Sequence, residues 1–286
     1  MEETIAEVHT IHDMVLNDKE QLSNNQIQSL IMPNISELCI NNSFLNVILE
    51  LRKKDHYTYR HCVGVAVISF LLGKWLGLKE AELRDLAIAG LMHDIGKIKI
   101  PDSILNKASR LSADEYAVMK LHTHFGYEMI RHLPEMTEQQ ALVALQHHER
   151  EDGSGYPFGI SGEDIAPFSK IVAVADVFHT MISERVYKKP APLYQVYREI
   201  YQRASGLFDP LVVQSFISNV MNRMIGNSVL LSNGQIARIT MLHPDDLINP
   251  LVVVQGQYYD LRQSDIYIVD FIPNLRKPNR KDLDLR

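Results

Sequence analysis

The sequence predicts a mostly α-helical protein: a helical bundle followed by a small all-β unit at the C-terminal end. Two patterns lead there. Helix-period apolar spacing runs through residues 46–225, and after "MIGNS" it gives way to short β-rich runs. The length agrees, since 286 residues suit one main domain with a smaller appendage.

Residues 1–45 are polar with scattered apolar positions, as in "IQSLIMPNISELCI", and predict one or two short helices broken near Pro33, forming a cap. Residues 46–225 form the main domain. Its helical segments include "VGVAVISFLLGKWLGL", "EAELRDLAIAGLMHDIGK", "ADEYAVMKLHTHFGYEMIRHL", "TEQQALVALQHHE", "IVAVADVFHTMISERVY" and "PLVVQSFISNVMNRMI". Start signals support two of them: Ser112 with Glu115 three residues on, and Thr137 with Glu138 in the first turn. Residues 226–286 are the β-rich unit, with runs "SVLLS", "QIARITML", "PLVVVQGQYYDL" and "IYIVDF", and Asn233-Gly234 predicts a two-residue hairpin turn. The closing "RKPNRKDLDLR" reads as a frayed tail.

Composition narrows the function. A net charge of −6 gives no general attraction to polyanions, so no nucleic-acid partner is expected. The two cysteines, Cys39 and Cys62, have no paired metal spacing, which argues against a disulfide framework or zinc ribbon and for a reducing cytoplasm. The start "MEETIAEVHTIHD" has neither a basic nor an apolar leader region, and no run is long enough to span a bilayer, so no membrane is expected.

The chemistry collects at histidines. Of twelve, His61, His93, His122, His147 and His148 fall where helices end or turn beside other polar groups. Asp94 follows His93 directly, and Asp176 sits in "VAVADVF", a run so apolar that an unpaired carboxylate there would be costly. Each such residue taken singly is more often a satisfied boundary residue. Together, five imidazoles and two carboxylates suit two borderline divalent ions, with a carboxylate able to bridge them. His9, His12, His56, His124, His132, His179 and His243 are read as satisfied core or boundary residues, and Cys62, Met119 and Met181 as core.

"HDIGK", "IPDSILNKASRLSADE", "KLHTHFG", "HHEREDGSGYP", "AVADVF" and "ERVYKK", in this order over roughly residues 50–220, resemble the HD-GYP subgroup of the HD phosphohydrolase superfamily. The resemblance implies an HD-domain helical bundle that hydrolyses a phosphodiester of cyclic di-GMP through two divalent transition-metal ions, iron or manganese favoured. It implies that His61, His93, Asp94 and Asp176 hold one ion, and that Asp94 bridges to a second held by His122, His147 and His148. Lys97 would pair with a substrate phosphate oxygen, and Arg185 and Lys188 match family positions that contact phosphate. Gly155, Tyr156 and Pro157 match the namesake loop, expected beside the substrate and in contact with diguanylate cyclase (GGDEF) domains. The oligomeric state stays open, a dimer included.

The chain departs from the family pattern at three places. Some members hold a third ion with a Glu four residues before the first His; here that position is Tyr57, so a dinuclear site and accumulation of linear pGpG, with slow onward hydrolysis to GMP, are expected. "NKAS" stands for the commoner "NKPG", and Phe178-His179 for the commoner Tyr-Asp. Two other readings remain: a hydrolase of another cyclic dinucleotide, such as cyclic GMP-AMP, and a catalytically weak cyclic di-GMP receptor, against which the retained ligand positions and Lys97 argue.

Overall fold

The computed structural model describes residues 2–17, 22–41, 44–51, 57–183 and 191–272. Arg185 and Lys188 lie outside the described residues, as does the side chain of Tyr57. The chain is mostly helical with one five-stranded antiparallel sheet near its C-terminal end. It divides into two compact units, Met1–Pro190 with Tyr201–Phe216, and Ala191–Ile200 with Ile217–Arg286.

In the first unit, α1 (Glu2–Asn17), α2 (Asn24–Asn41) and α3 (Phe44–Leu51) precede α4 (Tyr57–Trp75) and α5 (Glu80–Met92). A 3-10 turn, Ile95–Lys99, leads to α6 (Asp102–Leu105), α7 (Ala113–Lys120), α8 (His122–Ile130), α9 (Glu138–Gln146) and α10 (Pro167–Ile182). Helix α4 is the axis of the core. Its residues Val63, Val65, Ala66, Val67 and Leu72 are fully buried around the whole helix, as is Cys62. Such a helix needs neighbours on every side, and α1, α2, α5 and α10 all pack on it.

Two expected helix starts form as capping boxes. Ser112 Oγ accepts from the Glu115 amide at 3.2 Å while the Ser112 amide donates to Glu115 Oε2 at 2.7 Å. Thr137 does the same with Gln140, at 3.3 and 2.8 Å. The expected break at Pro33 does not occur: α2 runs through it. Ile27, Ile31 and Ile35, spaced four apart, are fully buried, and burial of that stripe outweighs the hydrogen bond a proline removes. Among the described residues, no helix is long and apolar enough to cross a membrane.

The remaining helices are α11 (Leu193–Leu207) and α12 (Pro210–Met224). In the second unit the strands β1 (Ser228–Leu231), β2 (Ile236–His243), β3 (Asp246–Val254), β4 (Gln257–Asp260) and β5 (Ile268–Phe271) lie in the order β4-β3-β2-β1-β5. Alternation buries Val229, Leu231, Ala237, Ile239, Val252 and Val254 on one face. The hairpin at Asn233-Gly234 has three loop residues instead of the expected two. Leu231 N–H donates to Gln235 O and Gly234 N–H to Leu231 O, both at 2.9 Å, with Gly234 at φ +82°. The run "PLVVVQGQYYDL" is two strands, folded back at Gln255 and Gly256, whose φ values of 49° and 88° suit a two-residue turn of primed type.

Candidate metal centre

Five elements each bring a histidine or carboxylate to one place. His61 lies one turn into α4; His93 and Asp94 follow the last turn of α5; His122 opens α8; His147 and His148 end α9; and Asp176 lies inside α10. Close packing makes the convergence possible. A Cβ on Gly96, in the turn after Asp94, would stand 2.0 Å from the His122 carbonyl oxygen, so this glycine lets the His93-Asp94 segment lie directly against the start of α8.

Asp94 is the centre of the cluster. Its Oδ1 lies 3.4 Å from His122 Nε2 and 3.7 Å from His147 Nε2, while its Oδ2 lies 3.3 Å from His93 Nε2, 3.8 Å from His61 Nε2 and 2.5 Å from Lys97 Nζ. Two donor groups result, His61/His93/Asp94 and Asp94/His122/His147/His148, each with its ligand atoms within 4.8 Å of one another. Asp176 joins at the His61 side, with Oδ1 3.2 Å from His61 Nε2. The structure therefore brings together all seven residues that the sequence singled out as ligands, together with Lys97.

The donor set fits a cation. His93 Nε2 and Asp94 Oδ1 are buried with no hydrogen bond of acceptable geometry among the described residues, an arrangement that costs free energy unless something else occupies those lone pairs. Burial would raise the pKa of Asp94, but Lys97 and then His93 outweigh it and hold the carboxylate well below its usual range. Burial also opposes ionisation of Asp176, where the hydrogen bond from His61 prevails and holds it low. Burial pushes His147 and His148 down, and His122 down to about 4. Near neutral pH the carboxylates are thus charged and His122, His147 and His148 neutral, the forms a divalent ion needs. At His93 burial is outweighed by the nearby Asp94, which raises the pKa, so an ion there would displace a proton.

Backbone carbonyls orient three of the rings. His93 Nδ1 lies 2.8 Å from Gly90 O, His122 Nδ1 2.8 Å from Met119 O, and His147 Nδ1 3.0 Å from Val143 O. A carbonyl can only accept, so each Nδ1 carries a proton and each Nε2 faces Asp94, where it would offer its lone pair to a bound ion.

The "GSGYP" loop closes over one side. Tyr156 stacks on His148, ring centroids 4.5 Å apart, and its amide donates to the His148 carbonyl at 3.2 Å. A Cβ on Gly155 would fall 2.4 Å from Glu149 Cα, so only glycine lets the loop approach this closely. Pro157 follows through a cis peptide bond. Glu149, buried, accepts from the Phe158 amide at 2.7 Å and ties the loop to the end of α9. The sequence reading missed Glu149. It stands in the quoted motif, but nothing local shows that its partner lies nine residues on.

A model of the HD domain matches residues 14–212, more than half of the chain. The chain belongs to the HD domain family. This HD domain is 35% identical over 213 residues to a cyclic di-GMP phosphodiesterase of Pseudomonas aeruginosa, covering 74% of this chain and 51% of the relative. It is 34% identical over 175 residues to the 3'3'-cGAMP-specific phosphodiesterase 2 of Vibrio cholerae, covering 61% of this chain and 34% of the relative. The chain thus spans about half the length, or less, of these curated relatives. Among solved structures, an HDG"Y"P protein from Bdellovibrio bacteriovorus shares the fold with a TM-score of 0.60 and 18% identity, over 75% of this chain and 69% of that one.

Proposed function

We propose that the chain is a metal-dependent phosphodiesterase that opens cyclic di-GMP to linear pGpG. The observation that carries this reading is Asp94, a buried carboxylate shared by two histidine-rich donor groups, each of its oxygens facing a different set of imidazoles. His61, His93, Asp94 and Asp176 would hold one divalent ion and Asp94, His122, His147 and His148 a second, with iron or manganese favoured by so many imidazoles. Bound there, the ions would lower the pKa of a nearby water and neutralise phosphate charge.

The chain's own groups do the rest. Lys97, a third exposed, would exchange Asp94 for a non-bridging phosphate oxygen and oppose the charge that gathers there in the transition state. Tyr156, stacked on His148 and backed by Glu149, walls the site on one side and limits access of bulk water. Arg185 and Lys188 are proposed phosphate contacts on sequence grounds. With a phenol at position 57 in place of a carboxylate, no third ion is expected, and the linear product should accumulate. The "GYP" loop is also the proposed contact for diguanylate cyclase domains.

A second reading is hydrolysis of a cyclic GMP-AMP dinucleotide, favoured by the similarity to the Vibrio cholerae enzyme. Incubation of metal-loaded protein with several cyclic dinucleotides, followed over time by product chromatography, separates the two. Preferential loss of cyclic di-GMP with a build-up of pGpG is expected. Preference for the mixed dinucleotide would replace the substrate, rapid GMP without pGpG would remove the role given to Tyr57, and no cleavage of any substrate would remove the function.

A further inference from the structure

Resting on the metal-centre reading, we infer that His179 is a positioning residue that orients the His61 ring toward the metal site, the task that backbone carbonyls perform for His93, His122 and His147. The two Nδ1 atoms of His61 and His179 lie 3.0 Å apart, and both side chains are buried. His179 stands three residues after Asp176 on α10, one helical turn away, so the two residues share a face of that helix. The His61 ring is therefore held at both nitrogens, with Nε2 3.2 Å from Asp176 Oδ1 and Nδ1 at His179.

The packing around His179 is built for an imidazole. Gly64 lies on α4 three residues after His61, and a Cβ there would stand 2.1 Å from His179 Cδ2 and Nε2. Any larger residue at position 64 would have to displace the ring. Ser183, one turn further along the chain, donates its hydroxyl to the His179 carbonyl at 2.7 Å, with its oxygen 3.1 Å from His179 Nδ1. With that hydroxyl proton given to the carbonyl, Ser183 Oγ can only accept, and in the His179 tautomer protonated at Nε2, 3.5 Å from that oxygen, the Nδ1 lone pair is left to His61. In the metal-free chain His61 Nε2 gives its proton to Asp176; once a metal takes the place of that proton, acceptance of the His61 Nδ1–H by His179 would leave the Nε2 lone pair directed at the ion. A ligand histidine generally needs such a partner for its second nitrogen, and loss of that partner typically weakens metal binding 10- to 100-fold.

The test measures Mn²⁺ affinity of the full chain by competition with a chelator, together with melting of the metal-free protein. His179→Leu, which keeps bulk but cannot accept, should weaken Mn²⁺ binding about 10- to 100-fold. His179→Asn, whose amide oxygen can accept, should recover most of that loss at a similar metal-free melting temperature. Gly64→Ala should weaken Mn²⁺ binding in the wild-type background and add little once His179→Ala has removed the ring. Equal losses in the Leu and Asn variants, no loss in either, or an undiminished Gly64→Ala effect without the ring would each overturn the positioning role while wild-type binding upheld the metal centre. Wild-type protein that binds no Mn²⁺ would overturn both.

Discussion

In the helical unit, α4, α5, α8, α9 and α10 converge to bury His61, His93, Asp94, His122, His147 and Asp176 among apolar helices. In the sheet unit, strand alternation buries valine, leucine and isoleucine, and His243 has Asp260 Oδ1 3.2 Å from its Nε2. The first arrangement is costly. Each buried ion loses several kcal/mol of hydration, which neighbouring charges and hydrogen bonds only partly return. The second follows the ordinary course of removing apolar area from water. The difference teaches where function resides, because a fold tolerates a dense, incompletely satisfied polar cluster when that cluster serves a ligand.

The contrast is broken most severely at Asp94. Asp94→Asn keeps the volume but removes the charge shared by the two donor groups, so turnover should fall by about 10³-fold or more and metal content should drop below the wild-type value. Measurement of both on the same preparation checks this. Lys97→Ala should lower turnover by about 10²- to 10³-fold with metal content unchanged, since Lys97 is the proposed phosphate contact and not one of the proposed ligands. Metal loss in that variant would make Lys97 a structural partner of Asp94 instead.

The sheet unit should respond in the opposite sense. Ile239→Ala opens a cavity at a fully buried position and should cost about 2–5 kcal/mol in urea denaturation, while the metal content of the folded protein stays as in the wild type.

The smallest effect concerns acid. Burial lowers His12 to about 4, below the ordinary histidine value of 6.5, although nearby Asp94 opposes the shift. The unfolded chain therefore takes up this proton first. Stability of the metal-free protein should be complete above about pH 6.5 and decline as pH falls toward 4, by up to about 3 kcal/mol from this group. His12→Leu should flatten that part of the curve, and an unchanged slope would show that His12 is not held neutral.

Much of the centre was legible because its chemistry is written in local doublets: His93-Asp94 at a helix end, His147-His148 beside a glycine-rich loop, and Asp176 alone in an apolar run. The partners that orient these groups were not. His179 was read as a core or boundary residue and noted as a departure from the family pattern with no role given to it, since its relation to His61 spans 118 positions and exists only once α4 and α10 pack. The helix through Pro33 and the reversal at Gln255-Gly256 were missed for a related reason. Tertiary burial overrode a local breaker in the first, and a continuous apolar run concealed a turn in the second.

The central claim is a dinuclear centre organised around Asp94, and elemental analysis of anaerobically purified protein tests it most directly. Two iron or manganese ions per wild-type chain are predicted. Fewer than one ion per chain, with no activity restored by added metal, would contradict the account.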